Sequence, residues 1–279
     1  MILVCGGLVL LASLFFFGTT VAKKEPAPAM PMAVDVSPQF NIDNYIKSLE
    51  KNLSVGQVIF VDSLENSVSR GDVKDQQIQV YNQLSAFWKD SAGQNDIAGY
   101  YLGKSSELVN SEKNLTFAAQ FILENLRREQ DASKKNWEAQ QAIGLFEKAI
   151  QLDPNNDDLK VGLGSCYVFG KGMAGDAQET MKGIMQLLDV VQRDSNNMQA
   201  QMVLGIGGVI STQYDKAIQR LTIVVTKEPD NLEAISWLAD AYAGKGDKAN
   251  AIKWYEISKR MVNNPQYSKE VDERIKLLQ

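Results

Sequence analysis

The chain has 279 residues, 44% hydrophobic and 23% charged, a balance that supports a globular protein with a sizeable core. With 29 basic against 34 acidic side chains and a net charge of −5, it lacks the cationic surface that nucleic-acid binders use to neutralise phosphates. Histidine is absent, which removes the commonest general base, the Ser-His and Cys-His nucleophile pairs and the commonest metal ligand. The two cysteines, Cys5 and Cys166, can assemble neither a disulfide framework nor a thiolate metal site.

Residues 1–22 carry no charged side chain and include Leu8-Val9-Leu10-Leu11 and Phe15-Phe16-Phe17. At a rise of about 1.5 Å per residue, roughly 20 such residues cross a bilayer core of about 30 Å, so a single transmembrane helix is expected here. A cleavable signal peptide is the alternative: Thr20-Val21-Ala22 offers a small-residue cleavage site, although the basic leading region of such peptides is missing. Lys23 and Lys24 follow directly, and the positive-inside tendency favours a cytoplasmic side for that flank. Residues 23–38 hold four of the seven prolines and few large side chains, which predicts an extended spacer.

Residues 39–71 read as two helices, with Tyr45, Leu49 and Leu53 on one and Val58, Val61, Leu64 and Val68 on the other. Beyond Pro38 the next proline is Pro154, and its context recurs: Asp153-Pro154-Asn155-Asn156, Asp194-Ser195-Asn196-Asn197, Glu228-Pro229-Asp230-Asn231 and, in degenerate form, Asn263-Asn264-Pro265. Ser195 and Pro229 stand 34 residues apart, and Pro154 and Ser195 stand 41 apart, one period plus seven. Each such string stops one helix at the proline and offers Asp or Asn to cap the next.

Trp237-Leu238-Ala239, Tyr242, Gly246, Ala251 and Tyr255 nearly complete the W-x2-L-G-x2-Y, A-x3-F skeleton of the tetratricopeptide repeat family, which this sequence resembles. Earlier copies share the register. The first carries Tyr81, Leu84, Ser85 and Trp88, then Ala98 and Leu102. The second has Leu115, Ala118, Ala119 and Ile122, then Ala142, Phe146 and Ala149 after an 11-residue excess. The third has Leu163-Gly164 and Tyr167, then Gly183, Leu187 and Val190 after a seven-residue insertion within Gly170 to Asp176. The fourth has Leu204-Gly205, Ala217, Leu221 and Val224, with Gly208 where the tyrosine belongs.

The resemblance implies an all-α fold, an α-solenoid of about five helix hairpins over residues 72–265. The helices of 39–71 cap it at the N-terminal end, and a half-polar helix over 266–279, with Tyr267, Val271, Ile275 and Leu278 on one face, caps it at the other. It also implies a concave groove lined by the first helix of each hairpin. Groove positions Val161, Ser165, Val168, Met202, Ile206, Val209, Ser236 and Asp240 are the expected partner-binding residues. Their apolar middle suits an amphipathic helix or apolar peptide, and the alternative is that they pack against neighbouring helices. The basic, asparagine-rich clamp that some relatives use for acidic C-terminal peptides is not present. With one N-terminal span, the architecture resembles bacterial membrane-anchored repeat proteins, which implies a scaffold at the cytoplasmic membrane that takes a protein or peptide partner and assists assembly or translocation.

The other chemical candidates have structural explanations. Gly205-Ile206-Gly207-Gly208 resembles a phosphate loop only in composition, since no strand precedes it, and is expected to serve helix packing. Cys166 is expected to be a buried structural thiol. Glu233 with Asp240 could in principle do acid-base work but is read as solvated and dipole-favoured. The pairs Arg127-Arg128, Lys134-Lys135 and Lys259-Arg260 are read as solvated charge. No enzyme activity, cofactor, metal or small-molecule substrate is expected.

Overall fold

The computed structural model describes residues 40–70, 73–173, 175–262 and 264–279. The expected transmembrane helix of 1–22 and the linker of 23–38 lie outside the described residues; within them, no helix is long and apolar enough to cross a membrane.

The described residues form thirteen α-helices and no strand: α1 (Ile42–Glu50), α2 (Val55–Arg70), α3 (Lys74–Ala86), α4 (Asn95–Val109), α5 (Glu112–Leu126), α6 (Ala132–Leu152), α7 (Asp157–Cys166), α8 (Ala177–Arg193), α9 (Met198–Ile210), α10 (Tyr214–Lys227), α11 (Leu232–Lys245), α12 (Lys248–Met261) and α13 (Pro265–Leu278). Helices α3 to α12 pair as five consecutive hairpins, each stacked on the next, with α2 packed on α3 at one end and α13 on α12 at the other.

The recurring strings build the junctions between hairpins. In each of the first three, the second asparagine or its equivalent donates its backbone N–H to the acidic residue that ends the preceding helix: Asn156 to Asp153, Asn197 to Asp194 and Asn231 to Glu228. The same asparagine's side chain then accepts from an N–H of the next helix's first turn, Asp158, Ala200 or Ala234. Asn264 does likewise for α13, whose first residue, Pro265, has no N–H to leave unsatisfied. One residue type thus closes a turn and starts a helix, which fixes the angle between hairpins.

Within hairpins, small residues set the approach. A methyl on Gly164 or Gly205 would sit 2.6 Å from the Cγ of Leu187 or Leu221 on the facing helix, so only glycine permits these contacts. Gly246, at φ 85°, ends α11 in the left-handed conformation that lets the chain turn directly into α12. The cores are contiguous but local, each shared by adjacent hairpins, and they contain the expected Leu238 and Tyr255, with Tyr242 half-buried against them.

Two expectations are corrected. The 11-residue excess of the second copy is largely helix rather than connection: α6 runs for 21 residues and only 127–131 link it to α5. Part of the insertion after α7 is helical too, because Tyr167–Gly172 continue α7 as π-helical turns, as Phe87–Ser91 continue α3.

Candidate functional site

First helices α5, α7, α9 and α11 lie side by side and enclose a recess of about 190 Å³. Leu123, Phe169, Met202 and Ile206 supply its apolar lining, while Glu124, Arg127, Gln199, Glu228 and Glu233 surround them. Arg127, just past the end of α5, forms an ion pair with Glu233 in the first turn of α11, so one contact spans the groove from the second hairpin to the fifth. Its guanidinium carbon lies 4.6 Å from the centre of the Phe169 ring, a cation–π arrangement at the wall of the recess. The π-helical continuation of α7 is what carries Phe169 to this place.

The eight expected groove residues divide among three environments. Ser165, Met202 and Ile206 line the recess, although Ile206 is fully buried in its floor and the Ser165 hydroxyl donates to the Val161 carbonyl at 2.8 Å. Val161 and Val168 are 4% and 0% exposed and belong to the core with Leu187, Val190 and Leu204, and Val209 is half-buried against the α10–α11 core. Their expected openness is thereby corrected. The first helices touch one another, so a face turned away from the second helices is still covered by neighbouring first helices. Ser236 and Asp240 line a separate recess of about 390 Å³ between α11 and α13. There the Tyr255 hydroxyl donates to Asp240, and Arg274 donates to the same carboxylate at 2.8 Å. Burial and that carboxylate push the Tyr255 phenol up to about 12.

Glu233 and Asp240 are therefore each engaged by a cation rather than free, which corrects the reading of Arg127 as solvated charge. Lys134 is corrected as well. It is paired with Asp96 and, at 2.9 Å, with Glu129, and it donates to the Tyr45 hydroxyl at 3.2 Å, so it ties α1 to α4 and α6. Beside it Glu138 is 2% exposed, with Oε2 lacking any hydrogen-bond partner, and desolvation pushes its carboxyl up to about 8. Cys166 is fully buried, and burial pushes its thiol up. Among the described residues no group of three or more cysteine, aspartate or glutamate side chains could hold a metal ion.

Phe169, Glu124 and Met198 carry no groove signal in the sequence, and Arg127 reads there as solvated charge, because all four sit at or beyond the ends of first helices, outside the family skeleton. Phe169 had no signal at all, since it belongs to a continuation that the repeat pattern does not contain.

No protein-family model matches the sequence, and no curated protein matches it. Among solved structures the fold is similar to a tetratricopeptide repeat protein from Parabacteroides merdae, 14% identical, covering 85% of this chain and 84% of that one with a TM-score of 0.55. It is also similar to a thermophilic tetratricopeptide repeat protein from Thermus thermophilus, 16% identical, covering 74% of this chain and 98% of that one with a TM-score of 0.51. Together with the helix order, the repeated caps and the small-residue packing, these likenesses identify the fold as an α-solenoid of the tetratricopeptide repeat type.

Proposed function

We propose that the protein is a scaffold that holds a short apolar or amphipathic segment of a protein partner in its first-helix groove, while residues 1–22 tether it to a bacterial cytoplasmic membrane. The observation that supports this reading is the recess itself: aromatic, methionine and aliphatic side chains at the bottom, charge of both signs at the rim, and four first helices converging on it. The partner's apolar side chains would enter between Phe169 and Met202, and its polar flanks would meet Arg127 and Glu233. Holding a partner beside a membrane suits a role in protein assembly or translocation.

The test is photo-crosslinking in membranes from cells carrying the full chain, with the crosslinker at exposed Gln199 on the recess rim or at exposed Lys253 on α12 as control. The expected outcome is a discrete adduct at Gln199 that is absent at Lys253 and is lost in Met202→Glu. Equal adducts at both positions, or none at Gln199, would rule the groove out. Recovery of the full chain in the soluble fraction would rule out the tether.

A further inference from the structure

On the opposite side of the fourth hairpin, α8 and α10 stand apart over α9 and leave a largely apolar cavity of about 570 Å³. A missing ring is one contributor to it. In the third and fifth hairpins, three residues past the glycine or alanine that touches the facing helix, stand Tyr167 and Tyr242, and their rings fill the space beside the preceding second helix. The fourth hairpin has Gly208 at that place, and no ring occupies the slot. Ile184 and Leu188 of α8 form one wall, and Leu204 and Gly208 form the floor. Lys216 and Arg220, one turn apart on α10, stand on the remaining side. Among the described residues neither cation has a carboxylate partner: Lys216 donates to Gln213 and Arg220 to Gln201, both at 2.8 Å.

We infer that this cavity is a binding site for a long-chain fatty acid, its carboxylate held by Lys216 and Arg220 and its chain laid in the slot left by the missing ring. The lining selects the occupant. The volume lies within the range of small-molecule sites, about 300–1,000 Å³, and such sites pair apolar walls with a few placed polar groups. Two cations without acidic partners at the edge of an otherwise apolar cavity favour an anionic head, for which hydrogen bonds to charged donors are the strong ones. Half-exposed Met181, at the cavity mouth on α8, adds an adaptable apolar wall for a chain.

The experiment titrates the full chain with dansyl-undecanoic acid and follows its fluorescence. The expected result is a saturable rise that palmitate reverses and that hexadecanol, without the carboxylate, reverses roughly tenfold less well, the loss of a charged hydrogen bond. Ala177→Trp at the exposed mouth and Ile184→Trp in the wall should each abolish the saturable phase while the circular dichroism spectrum stays native; if Ile184→Trp unfolds, Ala177→Trp decides. Lys216→Ala with Arg220→Gln should lower palmitate to the level of hexadecanol. Absence of saturable binding, its survival in folded Ala177→Trp, or equal displacement by palmitate and hexadecanol would overturn the assignment. So would a dansyl signal displaced by an amphipathic peptide or by phosphatidylglycerol vesicles but not by palmitate.

Discussion

In the last two hairpins, α9 to α12, the chain turns through short connections, asparagine caps and glycine contacts, and almost every buried group is apolar. The first two hairpins are assembled from other materials. Lys134 binds Asp96, Glu129 and Tyr45 together, Glu138 is buried beside them, and Phe40, Tyr45, Trp137 and Tyr100 form a run of ring contacts with centroids 5.1 to 6.0 Å apart. The difference teaches that a repeat obeying the packing offsets needs only backbone caps and close helix approach. Where α6 is lengthened and α1 has to be held against α4 and α6, charge and aromatic stacking do the joining.

The largest test of this comparison deletes one core ring at each end. Trp88, fully buried in the N-terminal core, and Tyr255, 5% exposed in the C-terminal one, should each cost about 3–5 kcal/mol when replaced by alanine, as other aromatic core deletions do. In a solenoid whose hairpins touch only their neighbours, the damage should stay local. Hydrogen exchange should therefore show Trp88→Ala unprotecting α1 to α4 while α9 to α13 keep their protection, and Tyr255→Ala doing the reverse. Uniform loss of protection from either substitution would mean that the two ends form one cooperative unit.

Next in size is the buried carboxyl of Glu138. Its affinity for protons is raised in the folded chain, from the ordinary 4.5 to about 8, by desolvation first, with Glu129 and Asp96 adding to it and Lys134 and Lys135 opposing. The folded state therefore holds a proton that the unfolded chain has released. The resulting stability is fully present below the unfolded value, declines as pH rises through the window between the two, and is gone above the folded one. Glu138→Gln keeps the shape without the charge, so it should flatten this part of the profile and gain about 2–4 kcal/mol at its alkaline end. Urea midpoints of the two proteins that run parallel across the window would refute the assignment. The last two hairpins bury no carboxyl of this kind; their raised group is the Tyr255 phenol, pushed up to about 12 and so above this window.

Much of the solenoid is legible in the sequence because its determinants are local. The Asp-Pro-Asn-Asn strings give both the period and the caps, and Leu204-Gly205 or Leu238-Ala239 give the facing surfaces. What escapes is long-range. Lys134 and Arg127 look like ordinary surface cations until the fold brings Asp96 and Glu233 to them. Phe169 lies just before the insertion, in a helical continuation of α7 where it is buried with Val168 and Gly170. Val161 and Val168 show the limit of counting groove positions, since a helical face is open only if the neighbouring helix is far enough away, and that distance is set by every hairpin before it.

Caps should show a smaller effect and sharpen the contrast within the regular half. Asn197 and Asn231 each accept from the first turn of the helix they begin, whereas Gln213, before α10, makes no side-chain cap bond. Asn197→Ala and Asn231→Ala should each cost about 1 kcal/mol in denaturant unfolding, and Gln213→Ala should stay within about 0.5 kcal/mol of the wild type. A cost at Gln213 equal to that at the asparagines would show that the junctions draw their stability from something other than the cap bond.

The smallest expected effect concerns the ion pair that joins the second hairpin to the fifth. Arg127 and Glu233 keep side-chain exposures of 28% and 39%, so water and salt screen them, and exposed pairs of this kind couple by less than about 1 kcal/mol. A double-mutant cycle on Arg127→Ala and Glu233→Ala should return a coupling of that size and lose most of it in high salt. The stacking of Arg127 on Phe169 is independent of Glu233, so Arg127→Ala should cost more than Glu233→Ala by a few tenths of a kcal/mol. If the pair instead governs the width of the groove, the cycle built on crosslinking yield at Gln199 should show coupling that the stability cycle lacks. Coupling of several kcal/mol in stability would make the pair a structural strut and the two halves a single body.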